Sequence, residues 1–268
     1  MVTRIITPPS VEPVSLTEVR GHLNYPDTAN DTDLLGKVVA ARRHIEGKLR
    51  RKLVEHVIES YLYAWPRADY IELPFPPLVS VVGVWYTNTA EAEAELATTE
   101  YGADVVRGRV VLRYNKAWPS VNLSPVSPIR VRFRCGYLKP FTATAATDAL
   151  ASAAHGLSDG DTIRLSNTGG ALPSPLAAGT DYFVVSAAVG TLQVSLTSGG
   201  AAVDLADAGT GTHFIGEVPA PIKIALMMRA GALVENRESD MASPGAHAIT
   251  LPIEDDLLAM YADLKVPD

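Results

Sequence analysis

The stretch Ile129-Arg130-Val131-Arg132-Phe133-Arg134-Cys135 alternates apolar and basic residues without interruption. Because successive side chains of a β-strand point to opposite faces, it predicts a strand with one apolar face and one arginine face. Gly136-Tyr137 follows, and the composition then changes: from Phe141 to Gly216 the only basic residue besides histidine is Arg164. The strand therefore stands at the boundary between two parts of the chain.

The residues before this strand predict helices first and strands afterwards. Residues 7–13 include three prolines and are expected to form an extended arm. Ser15-Leu16-Thr17-Glu18 matches a capping box and opens a short helix that ends near Leu23. A second helix is predicted to open at residues 30–33, with apolar side chains at three- and four-residue steps as far as Leu53. Strands are then predicted at residues 57–63, 70–73, 79–86 and 109–114.

The segment after Tyr137 is rich in Ala, Gly, Ser and Thr. Residues 161–166, 182–186 and 191–196 favour strands, because alternating apolar residues such as Ile163 and Leu165 need a core to face. Alanine content alone also allows a helix at 143–154. The alternative to a folded module is a flexible low-complexity insert. We interpret the segment as a small β module.

Beyond this segment the helical pattern returns. A helix is predicted at residues 222–235, entered through Pro219 and Pro221, followed by a loop at 236–246 and a short terminal helix at 255–264. The predicted fold class is α+β: a helical platform with an antiparallel β-sheet and hairpins, interrupted by a small all-β inserted domain. Residues 1–138 and 217–268 would form the discontinuous platform, and residues 139–216 the β-rich module.

Composition narrows the classes of function. The 268 residues carry a formal net charge of −7, which argues against a surface built throughout to neutralise nucleic acid. The single cysteine cannot form an internal disulfide, which fits assembly in a reducing cytoplasm. We expect no secretory signal and no membrane span, because no apolar run is long enough for either.

Motifs for catalysis, metals or cofactors are not found. The six histidines lack the spacing of a zinc motif, and nucleotide-binding glycine motifs are absent. Asp159 and Asp161 are better explained by a β-turn than by a calcium loop. Glu254 opens an acidic first helical turn, and Cys135 is expected to be a buried thiol. The sequence therefore predicts no enzyme, no catalytic residue, no metal and no cofactor.

Two sets of arginines are candidates for an interface or for the lining of a channel. The first lies at the basic end of the second helix, and the second is the face of the alternating strand. Solvated side chains, contacts to phosphate and pairing with acids of a neighbouring subunit all remain open for them. The candidates are Arg42, Arg43, Arg50, Arg51, Arg130, Arg132 and Arg134.

Several blocks of sequence outside the insert follow one another in a recognisable order. They are Pro8-Pro9-Ser10-Val11-Glu12-Pro13-Val14-Ser15-Leu16-Thr17-Glu18-Val19, Asp31-Thr32-Asp33-Leu34-Leu35 leading into Ala40-Ala41-Arg42-Arg43-His44-Ile45-Glu46, Leu73-Pro74-Phe75-Pro76-Pro77-Leu78-Val79-Ser80-Val81, Trp118-Pro119, the arginine strand with Gly136-Tyr137, and Val218-Pro219-Ala220-Pro221-Ile222-Lys223 through Glu235-Asn236-Arg237-Glu238. No single block is specific, but in their order and spacing they resemble the phage head–tail connector family, also called head–tail adaptors. The insert itself resembles a small β module of phage structural proteins through residues 155–161, 179–182 and 209–213.

The resemblance implies a structural protein of the virion neck. Such a protein forms a homo-oligomeric ring, commonly of twelve copies, between the portal protein and a tail-completion, stopper or tail-terminator protein. The ring continues the channel through which DNA passes without sequence specificity, and it is assembled in the host cytoplasm without a membrane. By analogy, the segment from Leu251 onward docks on the portal, with candidates Leu251, Leu257, Leu258, Met260, Tyr261 and Leu264.

Three other functions stay open at this point. The chain could be a tail-completion protein at the other end of the same connector. It could be a surface- or carbohydrate-binding protein whose insert carries an aromatic platform, with Tyr182 and Phe183 as the main candidates. Adjacent strand residues face opposite sides, so these two would not form one platform. An enzyme with a dispersed site would need a pocket of convergent polar groups.

Overall fold

A computed structural model describes residues 1–25, 28–235 and 252–262, and its fold is α+β, as the sequence predicts. The elements before the composition change are β1 (Val2–Thr7), α1 (Leu16–Leu23), α2 (Asp31–Leu49), β2 (His56–Leu62), β3 (Tyr70–Glu72), β4 (Leu78–Thr87), β5 (Glu93–Glu95), β6 (Tyr101–Asp104), β7 (Arg109–Leu112) and β8 (Ile129–Cys135). Those after it are β9 (Lys139–Thr144), β10 (Ala149–Ala151), β11 (Thr162–Thr168), β12 (Asp181–Val185), β13 (Thr191–Ser195), β14 (Thr212–Ile215), α3 (Ala220–Glu235) and α4 (Pro252–Ala262).

The arginine strand β8 lies at the centre of a five-stranded sheet in the order β1-β2-β8-β4-β5. Each neighbouring pair is antiparallel. The apolar face of β8 packs into a core shared with a second sheet in the order β3-β7-β6. Phe133 and Val131 are fully buried in this core, whereas the three arginines of β8 stay half-exposed on the other face. The alternation predicted for this strand is confirmed.

The four helices form a second core. Val38 and Ile45 of α2 pack with Ile222 and Leu226 of α3, and all four side chains are fully buried. The capping box at Ser15 is present and α1 ends at Leu23, as predicted. The prediction for α2 was wrong at its end, because Arg50 adopts a left-handed conformation and closes the helix at Leu49.

The low-charge segment folds into a closed six-stranded barrel in the order β10-β13-β12-β11-β14-β9. Its interior is apolar, with Leu150, Leu165, Val184 and Leu192 among the most buried side chains. The flexible-insert alternative is therefore wrong. So is the helix that alanine content allows at 143–154, because those residues form the end of β9, a short 3₁₀ turn and β10.

The barrel begins and ends at one point of the helical core. Ile215 of β14 pairs with Lys139 of β9, so the chain leaves and re-enters side by side. A Cβ on Gly216 would collide with the carbonyl of Tyr137, and Gly216 has a φ of +101° that favours glycine. Phe214 of the barrel is 1% exposed and packs with the helices rather than with the barrel interior.

The chain termini differ from the sequence predictions. Strand β1, which was not predicted, pairs with β2 at the edge of the large sheet. Helix α4 begins at Pro252 rather than at Asp255. The predicted loop at 236–246, together with Leu251 and Leu264, lies outside the described residues. No helix in the described ranges is both long and apolar enough to cross a bilayer.

Candidate functional site

Two of the four candidate arginines at the end of α2 are occupied by contacts within the chain. Arg42 is 4% exposed and lies between two carboxylates: its Nε donates to Glu12 at 2.7 Å, and its Nη1 is 3.3 Å from Glu46. Burial disfavours the charged form of Arg42, but these acids outweigh that effect and raise its pKa. Arg51 is also buried and donates to the Tyr261 carbonyl and the Tyr137 hydroxyl.

Arg43 and Arg50 remain exposed. Neither side chain makes a hydrogen bond or an ion pair within residues 1–25, 28–235 and 252–262. Of the four arginines at this helix end, these two are therefore the ones that a partner could reach.

The arginines of β8 converge on two acids, one in the neighbouring strand β2 and one directly before it. Arg130 Nη1 and Arg132 Nη2 both donate to Oε1 of Glu59, at 2.7 Å each. Arg134 donates to Glu55 at 2.6 Å. Burial alone would raise the pKa of Glu59, but hydrogen bonds from Tyr61, Arg130 and Arg132 outweigh it and lower that pKa to about 2.

An indole ring completes this arginine face. Trp85 of β4 pairs in register with Arg130, and the guanidinium carbon of Arg130 lies 4.3 Å from the centroid of the Trp85 ring. Gly83 leaves room for that ring, because a Cβ there would collide with it. Half-exposed tryptophan and arginine held in fixed positions are typical of protein–protein contact surfaces. The arginine face is thus preorganised and still accessible.

The candidate docking residues of α4 divide into two groups. Leu258 is 1% exposed, and Leu257 and Tyr261 also pack against the helical core, so these three stabilise the fold itself. Met260 is 68% exposed and can contact a partner, as can Ile253. Leu251 and Leu264 cannot be placed, since they lie outside the described residues.

A buried ion pair that the sequence did not reveal holds α4 in place. Glu254 is fully buried, and its two oxygens accept hydrogen bonds from Arg229 of α3 at 2.8 and 3.0 Å. Lys48 of α2 lies 3.6 Å from the same carboxylate. Glu254 was predicted only as part of an acidic first turn. Its depth in the core follows from the packing of α4, which no local pattern encodes.

Glu18 links the capping box to the barrel. Its carboxylate accepts hydrogen bonds from the Ser15 backbone, from Lys223 of α3 and from the hydroxyl of Thr168 in the barrel. Burial would raise the pKa of Glu18, but these donors outweigh it and lower the pKa. A second link joins Lys139 of β9 to Glu55 at 2.9 Å. The barrel is therefore attached to the platform by charges as well as by Phe214.

The described residues offer little to support chemistry. They contain no group of three or more His, Cys, Asp or Glu side chains that could hold a metal ion. Cys135 is fully buried, and burial raises its pKa to about 12, so it is a poor nucleophile. Asp161 accepts from the Ser158 amide within a turn, as expected. Tyr182 is 2% exposed, which removes it from any exposed aromatic platform.

Comparison with known proteins identifies the fold. No protein-family model matches the chain, and no curated protein matches it. Solved structures, in contrast, do match the chain. A chain in the neck of an empty gene transfer agent particle, computed with C6 symmetry, aligns with a TM-score of 0.56 and 16% identity over 100% of this chain and 98% of that one. The fold is that of a chain in the gene transfer agent neck.

Two further structures agree. A chain in the virion of the native gene transfer agent particle aligns with a TM-score of 0.55 at 15% identity, and one in the native neck, computed with C12 symmetry, with 0.54 at 16%. Each alignment covers 100% of this chain and 98% of the other. The resemblance to head–tail connector proteins is confirmed at the level of the fold.

Proposed function

We propose that the protein is a non-catalytic structural subunit of the neck of a phage-like particle, where it acts as a head–tail adaptor. The observation that carries this proposal is the length of the fold match. It covers the whole of this chain and 98% of a neck chain, so the barrel is included and not only a common helical or sheet motif. A neck subunit needs binding surfaces rather than a catalytic pocket, and the preorganised arginine face is such a surface.

The ring is proposed to hold twelve copies and to continue the DNA channel between portal and tail. A cyclic ring needs two different complementary surfaces on each subunit. Of the arginines that the sequence offers as candidates, the exposed Arg43 and Arg50 and the half-exposed arginines of β8 remain available for a subunit contact or for the lumen. An acidic chain that presents a few reachable cations suits contacts between subunits better than sequence-specific binding of DNA.

Electron microscopy of the protein in its assembled complex tests this function. The proposal predicts a closed ring with cyclic symmetry, located at the head–tail junction of the virion. Mass measurement of the isolated ring should give twelve times the mass of the 268-residue chain. A chain that stays monomeric in the presence of the portal complex contradicts the proposal.

The portal is proposed to bind the exposed side of α4 and the residues that follow it. Met260 and Ile253 are the exposed apolar side chains of α4, and changing them leaves the buried Glu254 and Leu258 in place. Met260→Glu should weaken binding to the portal without a change in unfolding free energy. The control Asp256→Ala, on the same helix, should leave both the portal binding and the unfolding free energy unchanged. Normal portal binding by Ile253→Glu/Met260→Glu would refute this docking site.

The division of the chain is also a proposal: residues 1–138 and 217–268 form the ring-building platform, and residues 139–216 are a module that projects from it. The neighbouring positions of Lys139 and Ile215 support it, because a short linker could join them. A chain with residues 139–215 replaced by such a linker should keep the platform fold, although the loss of Phe214 from the helical core will lower its stability. Complete unfolding of the shortened chain would mean that the barrel belongs to the core.

A further inference from the structure

The large sheet has two free edges. Strand β1 forms one edge and β5 the other, and no strand in the described part of the chain pairs with the outer side of either. β1 is also unusually apolar for an exposed edge, since Val2 is 56% and Ile5 50% exposed. Open edges with apolar side chains tend to pair with another chain, and proteins that stay monomeric normally cover them or break them up.

The two edge strands run in the same direction. The sheet has five strands and every neighbouring pair is antiparallel, so the first and the fifth are parallel to each other. Neighbouring copies in a ring are related by a small rotation. They can therefore place β1 of one copy beside β5 of the next, with the two strands parallel. Such head-to-tail contacts are the kind that build rings.

The charges on the arginine face alternate from strand to strand. Register places Arg4 of β1 opposite Glu59 of β2, and Glu59 opposite Arg132 of β8. On the far side, Trp85 of β4 lies opposite Glu95 of β5, and Glu93 shares the face of Glu95 two residues away. Residues paired in this way project from the same face. The face therefore carries positive charge on β1, negative on β2, positive on β8 and negative on β5.

The alternation decides which edges can meet. If β1 joins β5 of the next copy, Arg4 lies beside Glu93 and Glu95, which are about 7 Å apart along one face. If two β1 edges met, Arg4 would face a second Arg4, and two β5 edges would place glutamates together. Like charges directly opposite one another destabilise strand pairing, whereas opposite charges stabilise it. Neither Arg4 nor Glu95 has an ion-pair partner within the described residues, whereas Glu93 already accepts a hydrogen bond from Arg130 of its own chain at 2.8 Å. Glu95 is therefore the acid that is left for Arg4.

We propose that neighbouring copies of this chain join their large sheets edge to edge, with β1 of one subunit parallel to β5 of the next and Arg4 paired with Glu95. The inference rests on the proposed ring, and it names the contact that closes it. The barrel has no part in this contact, because a closed barrel has no edge to offer.

Cysteine cross-linking tests the contact. The variant Arg4→Cys/Glu95→Cys has two reactive thiols, since the natural Cys135 is fully buried. Within one subunit they lie on opposite edges of a five-stranded sheet, about 19 Å apart, too far for a short bis-maleimide linker. Assembled particles should therefore give a ladder of covalent multimers, while Arg107→Cys/Glu217→Cys, with two exposed sites away from the edges, should stay monomeric on a denaturing gel.

Charge reversal gives a second, independent readout. Arg4→Glu should raise the concentration at which half of the chain is assembled by about tenfold, because an attractive pair becomes a repulsive one. Glu95→Arg should do the same, and the double variant Arg4→Glu/Glu95→Arg should recover assembly. The control Arg107→Glu changes an exposed arginine on the β6–β7 turn by the same charge and should have no effect.

The outcomes separate this inference from the proposed function. A ring that forms normally but gives no Arg4→Cys/Glu95→Cys ladder, or charge reversals without mutual rescue, overturns the edge contact and leaves the ring intact. A chain that never assembles contradicts the ring and the edge contact together. A ladder with mutual rescue supports both.

Discussion

The platform and the barrel use different means to stabilise their interiors. The platform buries charges in pairs, with Arg42 on Glu46 and Arg229 on Glu254. The barrel interior is apolar, and among the buried charged residues of the described chain only Lys139 belongs to a barrel strand, at the junction with the platform.

This difference follows from what each part presents to its surroundings. A closed barrel satisfies every strand edge internally and needs no charge to choose a partner. The platform has open sheet edges, and its charges fix the geometry of contacts and exclude wrong partners. Ionic groups contribute more to this specificity than to the free energy of folding. We infer that assembly belongs to the platform, and each prediction below compares the two parts.

Breaking the ion pair of α4 should have the largest effect. Glu254→Ala removes the two hydrogen bonds that Arg229 donates to this buried carboxylate, and removing one partner of a buried pair costs about 3–5 kcal/mol. Denaturant unfolding of the full chain measures the loss. Asp256→Ala, an exposed acid on the same helix, is the matched control and should stay close to the natural protein. A loss no greater than that of the control would show that the pair is not stabilising α4.

A cavity in the barrel should cost somewhat less and act through packing alone. Leu192 is 1% exposed, and Leu192→Ala should lower the unfolding free energy by about 2–4 kcal/mol. Leu196→Ala, 62% exposed just after the same strand, should be neutral. Hydrogen exchange should show the loss of protection in β10–β13 rather than in α2. Equal loss of protection in both parts would contradict a separate barrel core.

Acid should affect the arginine face before it affects the barrel. The pKa of Glu59 is lowered from 4.5 to about 2, so its contribution to stability is complete above pH 4.5 and is lost as the pH falls towards 2. Glu59→Gln should lower stability at pH 7 and flatten this part of the pH profile. Glu217→Gln, at an exposed site, should leave the profile unchanged. If the stability of Glu59→Gln fell with pH as steeply as that of the natural protein, the acid sensitivity would belong to another group.

The smallest effect is expected for the surface pair of the barrel. Arg164 Nε donates to Asp181 at 2.6 Å, but both side chains are more than half exposed. Solvent screens such pairs, so Arg164→Ala should cause no measurable change in unfolding free energy. A clear destabilisation would mean that charge does support the barrel and would weaken the contrast with the platform.

Local patterns in the sequence were sufficient for part of this structure. The capping box at Ser15 and Glu18 depends on residues three apart, and the β8 alternation depends on a period of two, so both were predicted to within a residue. The arginine candidates were found for the same reason. Their partners were not, because Glu59 and Arg132 meet only through the pairing of β2 with β8.

The features that sequence reasoning missed all depend on distant contacts. Closure of the barrel needs β9 to pair with β14, some 70 residues away. β1 resembles an isolated arm until β2 is beside it, and Glu254 resembles a surface acid until α4 lies on α3. The alanine-rich residues 143–154 follow their neighbours in the barrel rather than their own helix propensity, since tertiary packing overrides a weak local preference.

An electron-microscopy map of the assembled ring, detailed enough to trace strands, tests the central claim most directly. The account predicts that β1 of each subunit runs parallel to β5 of the next, with Arg4 beside Glu95, and that the barrels project without closing the ring. A ring held together by contacts between barrels, with β1 and β5 both left free, would contradict it.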